Sequence, residues 1–207
     1  MHHPAINAAV AVILEAMEAC VTQPYDEPSG GGDLRYLQLT VVQEPGGALP
    51  GPPMVQVVLV WNSARKAGEA GDGGSGARLE RLAAELWRLG RGPGGQPPLL
   101  HSVFANFHPR RDNTILGPDW RLLHGEARCW AALGGAAVCY APGSFMQVNP
   151  GAMDACLRAM QGFVPRGAAI LDLHAGVGTI GGWLAGLLGG WVGGLSFCCP
   201  EGPHART

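Results

Sequence analysis

Charge is scarce in this sequence. Asp, Glu, Lys and Arg make up 14% of its 207 residues, against roughly 25% in an ordinary soluble domain. Lysine is nearly missing, since Lys66 is the one residue among 14 basic ones that is not arginine. With a formal net charge of −2, this argues against a simple polybasic nucleic-acid binder. The six cysteines (20, 129, 139, 156, 198 and 199) include no Cys-x-x-Cys pair, which argues against a zinc site or a disulfide scaffold. No secretory signal is recognisable, because Met1-His2-His3-Pro4 runs straight into an amphipathic segment. A reducing compartment is expected, the cytoplasm or an organelle such as a chloroplast or mitochondrion, and not secretion. The 33 glycines follow no triplet period, so a collagen-like chain is excluded.

What is present is enough apolar material for a core. Hydrophobic residues are 47% of the chain, which rules out disorder for the whole. The charge is also unevenly placed. Residues 1–60 carry one basic and six acidic groups, whereas residues 61–135 carry ten basic and seven acidic. Arginine suits bidentate contacts to phosphate, although GC-rich coding gives the same composition.

Residues 5–20 read as a helix with Pro4 suited to its first turn. LRYLQLTVVQ (34–43) and MVQVVLVW (54–61) read as an antiparallel strand pair. SARKAGEAGDGGSG (63–76) is a flexible linker. In 77–89, Leu79, Leu82, Ala83, Leu86 and Leu89 share one helical face. LLHSVFANF (99–107) is a strand, completing an α+β unit with mixed pairing. WRLLHGEA and AAVCYA are short strands, Pro150 opens a helix to about 163, and AAILDL (168–173) is a buried strand. The uncharged stretch 180–199 is long enough to span a bilayer. Its seven glycines favour instead a soluble helix fraying into a tail that forms no sheet layer.

The sharpest motif is ILDLHAGVGTIG (170–181). A strand ends in Asp172, and Gly176 and Gly178 let the backbone turn tightly and approach a ligand with no Cβ in the way. The amides that open the next helix can bind a phosphate or carboxylate. Gly176, Gly178 and Gly181 also fit the dinucleotide pattern G-x-G-x-x-G, which alone is weak and fits a plain turn as well. Asp172 stands four residues before the first glycine, where S-adenosylmethionine (SAM) enzymes carry an acid and dinucleotide folds keep an apolar strand.

A second motif precedes it. Ser144, Phe145, Met146, Gln147 and Asn149 stand ahead of a spacer helix and then Asp172, Gly176 and Gly178. In this order the two segments closely resemble those of the RNA (uracil-5-)-methyltransferase family. Residues 99–126, with Asn113-Thr114 before Gly117, look like that family's central domain. The resemblance spans nearly the whole chain, most loosely before residue 34. It implies an α/β architecture: an α+β central domain over 1–140 that faces RNA, then the incomplete start of a Rossmann-like SAM-dependent methyltransferase domain over 141–207.

The resemblance also implies roles. Gln147 would hydrogen-bond SAM through its amide, while Asp172, His174, Gly176, Gly178 and Thr179 would form the cofactor loop. His174 and Ala175 depart from the family's usual aromatic-Cys pair. Arg110, Arg111 and Asn113 make the most credible RNA-facing turn. In this family a cysteine thiolate adds to carbon 6 of a uridine in tRNA or rRNA, carbon 5 takes the methyl group, and a carboxylate removes the proton. The cysteine belongs to an Asp-Pro-Pro-Arg-x-Gly-type segment that this sequence does not contain. No catalytic residue is therefore assigned, and the chain is expected to be a truncated member. The alternative is a non-catalytic RNA-binding fragment with a vestigial SAM loop. A monomer without metal or membrane attachment is expected.

Overall fold

A computed structural model of the chain describes residues 3–42, 51–64, 74–91, 97–133, 136–188 and 192–195. They fall into two compact units, the first ending at Ala127 and the second starting at Arg128. This division lies ahead of residue 140, because the hairpin described below as β5–β6 goes with the second unit.

The first unit opens with helix α1 (Pro4–Cys20), whose first amides are met by the His3 side chain, accepting from the Ala5 amide at 3.2 Å. Ala5, Ala9, Ile13 and Ala16 recur along one face and are all buried. Strands β1 (Leu34–Val42) and β2 (Met54–Trp61) pair antiparallel, as their β-branched runs lead one to expect. Helix α2 (Ser75–Gly90) then crosses over to β3 (Leu100–Phe107), which lies parallel to β2. Strand β4 (Asp119–Gly125) returns antiparallel to β3, giving the sheet order β1-β2-β3-β4.

Alternate residues of β2 (Val55, Val57, Leu59, Trp61) and β3 (Val103, Ala105, Phe107) meet the apolar stripes of α1 and of α2 (Leu79, Leu82, Ala83, Leu86) in one core. Burying such a side chain contributes about 1.5–3 kcal/mol. Two polar ties fix α2 to the sheet. Trp61 Nε1 donates to Ser75 Oγ at 2.9 Å, and Arg78 grips the buried Asp33 carboxylate with Nε at 2.9 Å and Nη2 at 2.7 Å. The linker expected at 63–76 lies largely outside the described residues.

The second unit holds the hairpin β5 (Cys129–Leu133) and β6 (Ala136–Tyr140), helix α3 (Pro150–Gln161), strand β7 (Ile170–Leu173), helix α4 (Thr179–Leu188) and strand β8 (Val192–Leu195). Its apolar cluster joins Val138, Met153, Leu157, Trp183 and Leu184.

Two expectations are corrected here, and one strand is additional to those expected: Cys129–Leu133, fixed by antiparallel pairing to β6. The 168–173 segment is not buried throughout: Leu171 and Leu173 are 63% and 61% exposed, because α3 and α4 supply apolar cover only to the side that Ile170 occupies. The stretch after residue 180 does not fray from helix into tail without sheet, since Val192–Leu195 pairs parallel with β7. The pairing completes one βαβ unit, the smallest piece of a doubly wound sheet. Residues after 195 lie outside the described set. Among the described residues, no helix is long and apolar enough to cross a membrane.

Candidate functional site

Strand β7 delivers the chain to a tight loop with three residues of positive φ: His174 (60°), Gly176 (58°) and Gly178 (79°). For the two glycines this conformation costs little. For His174 it costs about 1–2 kcal/mol, strain that the surrounding turn must hold. A Cβ built on Gly176 or Gly178 would meet nothing within 4 Å. The glycines therefore serve the backbone turn, and the space above them is open to a ligand.

The loop is closed by its own hydrogen bonds. The Gly178 amide donates to the Ala175 carbonyl at 2.8 Å, and the Gly182 amide to the Gly178 carbonyl at 2.9 Å, starting α4. Asp172 Oδ2 accepts from the Gly181 amide at 3.0 Å. The acid at the strand end thus caps the following helix and pins strand to helix. The amides of Thr179 and Ile180 open α4, and the first amides of a helix have no partner within it. Two such amides, with the positive end of the helix dipole, suit a carboxylate or phosphate.

The second motif has a fixed frame and an open middle. Ser144 Oγ accepts from the Ala141 amide at 3.2 Å, and Asn149 caps α3 by accepting from the Ala152 amide at 2.9 Å. Between them Phe145 is 78% exposed, Val148 is fully exposed, and Gln147 is exposed with no hydrogen bond among the described residues. The structure thus places Gln147 and the 172–181 loop in the same unit, with no hydrogen bond joining them.

Arg110, Arg111 and Asn113 lie in the first unit, on the exposed turn after β3. The two arginines are already engaged. Arg110 Nε lies 3.3 Å from Asp112 Oδ2. The Arg111 guanidinium lies across Gly30, where an added Cβ would come within 1.8 Å of Nη2. Asp112 also accepts from the Thr114 amide at 3.1 Å and from the Thr114 hydroxyl. The Thr114 bonds, foremost, and the arginine nearby hold the Asp112 carboxyl below its ordinary range.

Sequence reasoning missed three residues behind this turn. Asn106, wholly buried in β3, accepts from the Gly117 amide at 2.7 Å and donates to the Gly117 carbonyl at 2.9 Å. It spans the end of the Asn-Thr-x-x-Gly turn like a backbone partner. Gly117 itself lies so close to the strand that an added Cβ would meet the Phe107 carbonyl oxygen at 1.8 Å. Arg35 and His108 are the other two. The available signal was Arg35 as the one basic residue in the first sixty.

The coordinates superpose on a tRNA (uracil-54, C5)-methyltransferase of Pyrococcus abyssi, solved in complex with S-adenosyl-L-homocysteine. The TM-score is 0.62 at 18% identity, covering 91% of this chain and 39% of that one. The fold is thus that of part of a SAM-dependent methyltransferase, with a partial Rossmann-like unit after the α+β unit. In sequence, the chain is 32% identical over 184 residues to an uncharacterized RNA methyltransferase of Protochlamydia amoebophila, covering 87% of this chain and 43% of the relative. It is 27% identical over 188 residues to another from Geobacter sulfurreducens, covering 90% of this chain and 33% of the relative. No family model matches. The sequence similarity to these RNA methyltransferases and the shared fold both support the RNA (uracil-5-)-methyltransferase family that its two motifs resemble. It spans less than half the length of the curated relatives it matches.

Proposed function

We propose that this chain is the RNA-facing and cofactor-entering part of a SAM-dependent RNA (uracil-5-)-methyltransferase acting on a uridine of tRNA or rRNA. The observation that carries the reading is the loop from Asp172 to Gly181. It combines a strand-end acid pinned to a helix start, two glycines under open space, and helix-opening amides. Those amides suit the carboxylate of the methionine end of SAM. Gln147, exposed and without a hydrogen bond among the described residues, offers both a donor and an acceptor to the same ligand. His174 and Thr179 flank the loop, and Asp172 keeps its shape. When bound, SAM supplies an activated methyl group. The residues of this chain bind and orient it.

On this reading the first unit, ending at Ala127, presents RNA through the turn of Arg110, Arg111 and Asn113, and the second begins the cofactor domain. The relatives support a transferase over a non-catalytic RNA-binding fragment. No residue of this chain is assigned the attacking thiolate or the proton-accepting carboxylate.

Ligand-observed NMR with SAM tests the cofactor site. The loop binds one end of the molecule, so affinity should be weak, on the order of a millimolar dissociation constant, worth about 4 kcal/mol. Saturation transfer to SAM should be seen with the native chain and fall with Gln147→Ala and with Gly178→Val. Transfer that survives both substitutions unchanged would show that the site lies elsewhere.

A further inference from the structure

Behind the arginine turn sits a charged side chain that the core does not need. Arg35, on β1, has a side chain only 1% exposed. Its guanidinium lies 4.3 Å from the Tyr25 ring centroid. Nη1 alone serves three acceptors: the Arg110 carbonyl at 2.5 Å, the His108 carbonyl at 3.0 Å and His108 Nδ1 at 3.1 Å. Nε and Nη2 have no hydrogen-bond partner among the described residues, and the nearest carboxylate, Glu27, stands 3.9 Å from Nη2.

Burying a cation costs several kcal/mol unless it is well paired. An apolar residue would fill this position at less expense. What arginine adds is its Nη1 donors, and they go to the backbone that leaves the sheet after β3.

From Arg35 to Asp112 the donors all point outward. Arginine can only donate, so His108 Nδ1 accepts and its proton resides on Nε2. That nitrogen, in a ring wholly buried, donates to Thr114 Oγ1 at 2.8 Å and lies 3.3 Å from Asp112 Oδ1. The Thr114 hydroxyl donates in turn to Asp112, whose other oxygen faces Arg110 Nε at 3.3 Å. A relay of donors thus runs from the buried Arg35 to Asp112, which the exposed Arg110 meets from the other side.

We infer that Arg35 is a positioning residue for RNA: through His108 and Thr114 it preforms the Arg110–Arg111 turn, so that both guanidinium groups meet phosphate without an ordering cost. The inference rests on the RNA-facing reading of that turn. Pre-ordering raises affinity by removing the entropy otherwise lost on binding, and the tie from the core achieves it without a contact of its own.

The test is fluorescence anisotropy of a fluorescein-labelled, uridine-containing RNA stem-loop titrated with the 207-residue chain at several salt concentrations. Arg110→Ala/Arg111→Ala should weaken binding roughly tenfold at low salt and lower the salt slope by about two. Arg35→Gln should reproduce most of that loss and of the slope change. In the doubly substituted background it should add nothing, since its effect passes through the two arginines. A merely structural residue would cost the same factor in both backgrounds, and that result would overturn the inference. Thr114→Val, an exposed change at the far end of the relay, should show the same non-additivity and serves if Arg35→Gln does not fold. If Arg110→Ala/Arg111→Ala binds RNA like the native chain, the RNA-facing reading itself fails, and the inference with it.

Discussion

Replacing Asn106 by alanine should undo the turn from its base. Its side chain makes three hydrogen bonds: with the Gly117 amide at 2.7 Å, the Gly117 carbonyl at 2.9 Å and the Asp119 carbonyl at 3.2 Å. A net hydrogen bond is worth about 1 kcal/mol, and a buried donor left unpaired costs roughly 1–3 kcal/mol. Gly117 is buried against the Phe107 carbonyl, so water has little room to replace the lost partner of its amide. The sum is about 3–5 kcal/mol, a large share of the 5–15 kcal/mol that holds a typical domain. Hydrogen exchange of the β2 and β3 amides is the suitable assay, because it reports the first unit without mixing in the second. At about 1.4 kcal/mol per factor of ten, protection should fall on the order of a hundredfold or more. Asn106→Asp, which keeps the acceptor but turns a carboxylate oxygen to the two carbonyls, should lose at least as much. A loss under about 1 kcal/mol for Asn106→Ala would refute the view that this side chain stands in for a backbone partner.

Two further outcomes are expected. Leu86→Ala, at a wholly buried position of α2, should destabilise the first unit by about 2–5 kcal/mol, read by the same exchange experiment. The depressed Asp112 carboxyl contributes stability above its unfolded value, near 3.9, and loses it as pH falls through the lower folded value. The melting temperature of Asp112→Asn should therefore lie below the native one between pH 5 and 7, with the gap closing below about pH 4. A gap of unchanged size at pH 3 would contradict the assignment.

The parts of the fold legible in the sequence are those whose order is local. The stripe of Leu79, Leu82, Ala83 and Leu86 announced α2, and the β-branched runs announced β1 and β2. Strand β8 was not legible, because Val-Gly-Gly-Leu has no strand-like period and is a strand only through pairing with β7. The loop at 174–178 was legible because a turn of this kind demands glycine, and glycine stands there. His174 was not foreseen at positive φ, since its side chain gives no sign of it. The contacts of Arg35 with His108 lie further still from local reading, as 73 residues separate the two. Only the sheet, by setting β1 and β3 on either side of β2, brings them together.

The parallel pairing of β2 with β3 also orders events in time. β1 and β2 pair antiparallel across a short connection, so their hairpin closes with little loss of chain entropy. β3 can dock only after the intervening chain, with all of α2, has been drawn into place, and such long-range pairings are the slow ones in folding. Asn106, His108 and the arginine turn all lie on or beyond β3. A chain emerging in sequence order therefore builds α1, α2 and its first hairpin before the turn proposed to face RNA, and that turn is a late product of folding in the first unit.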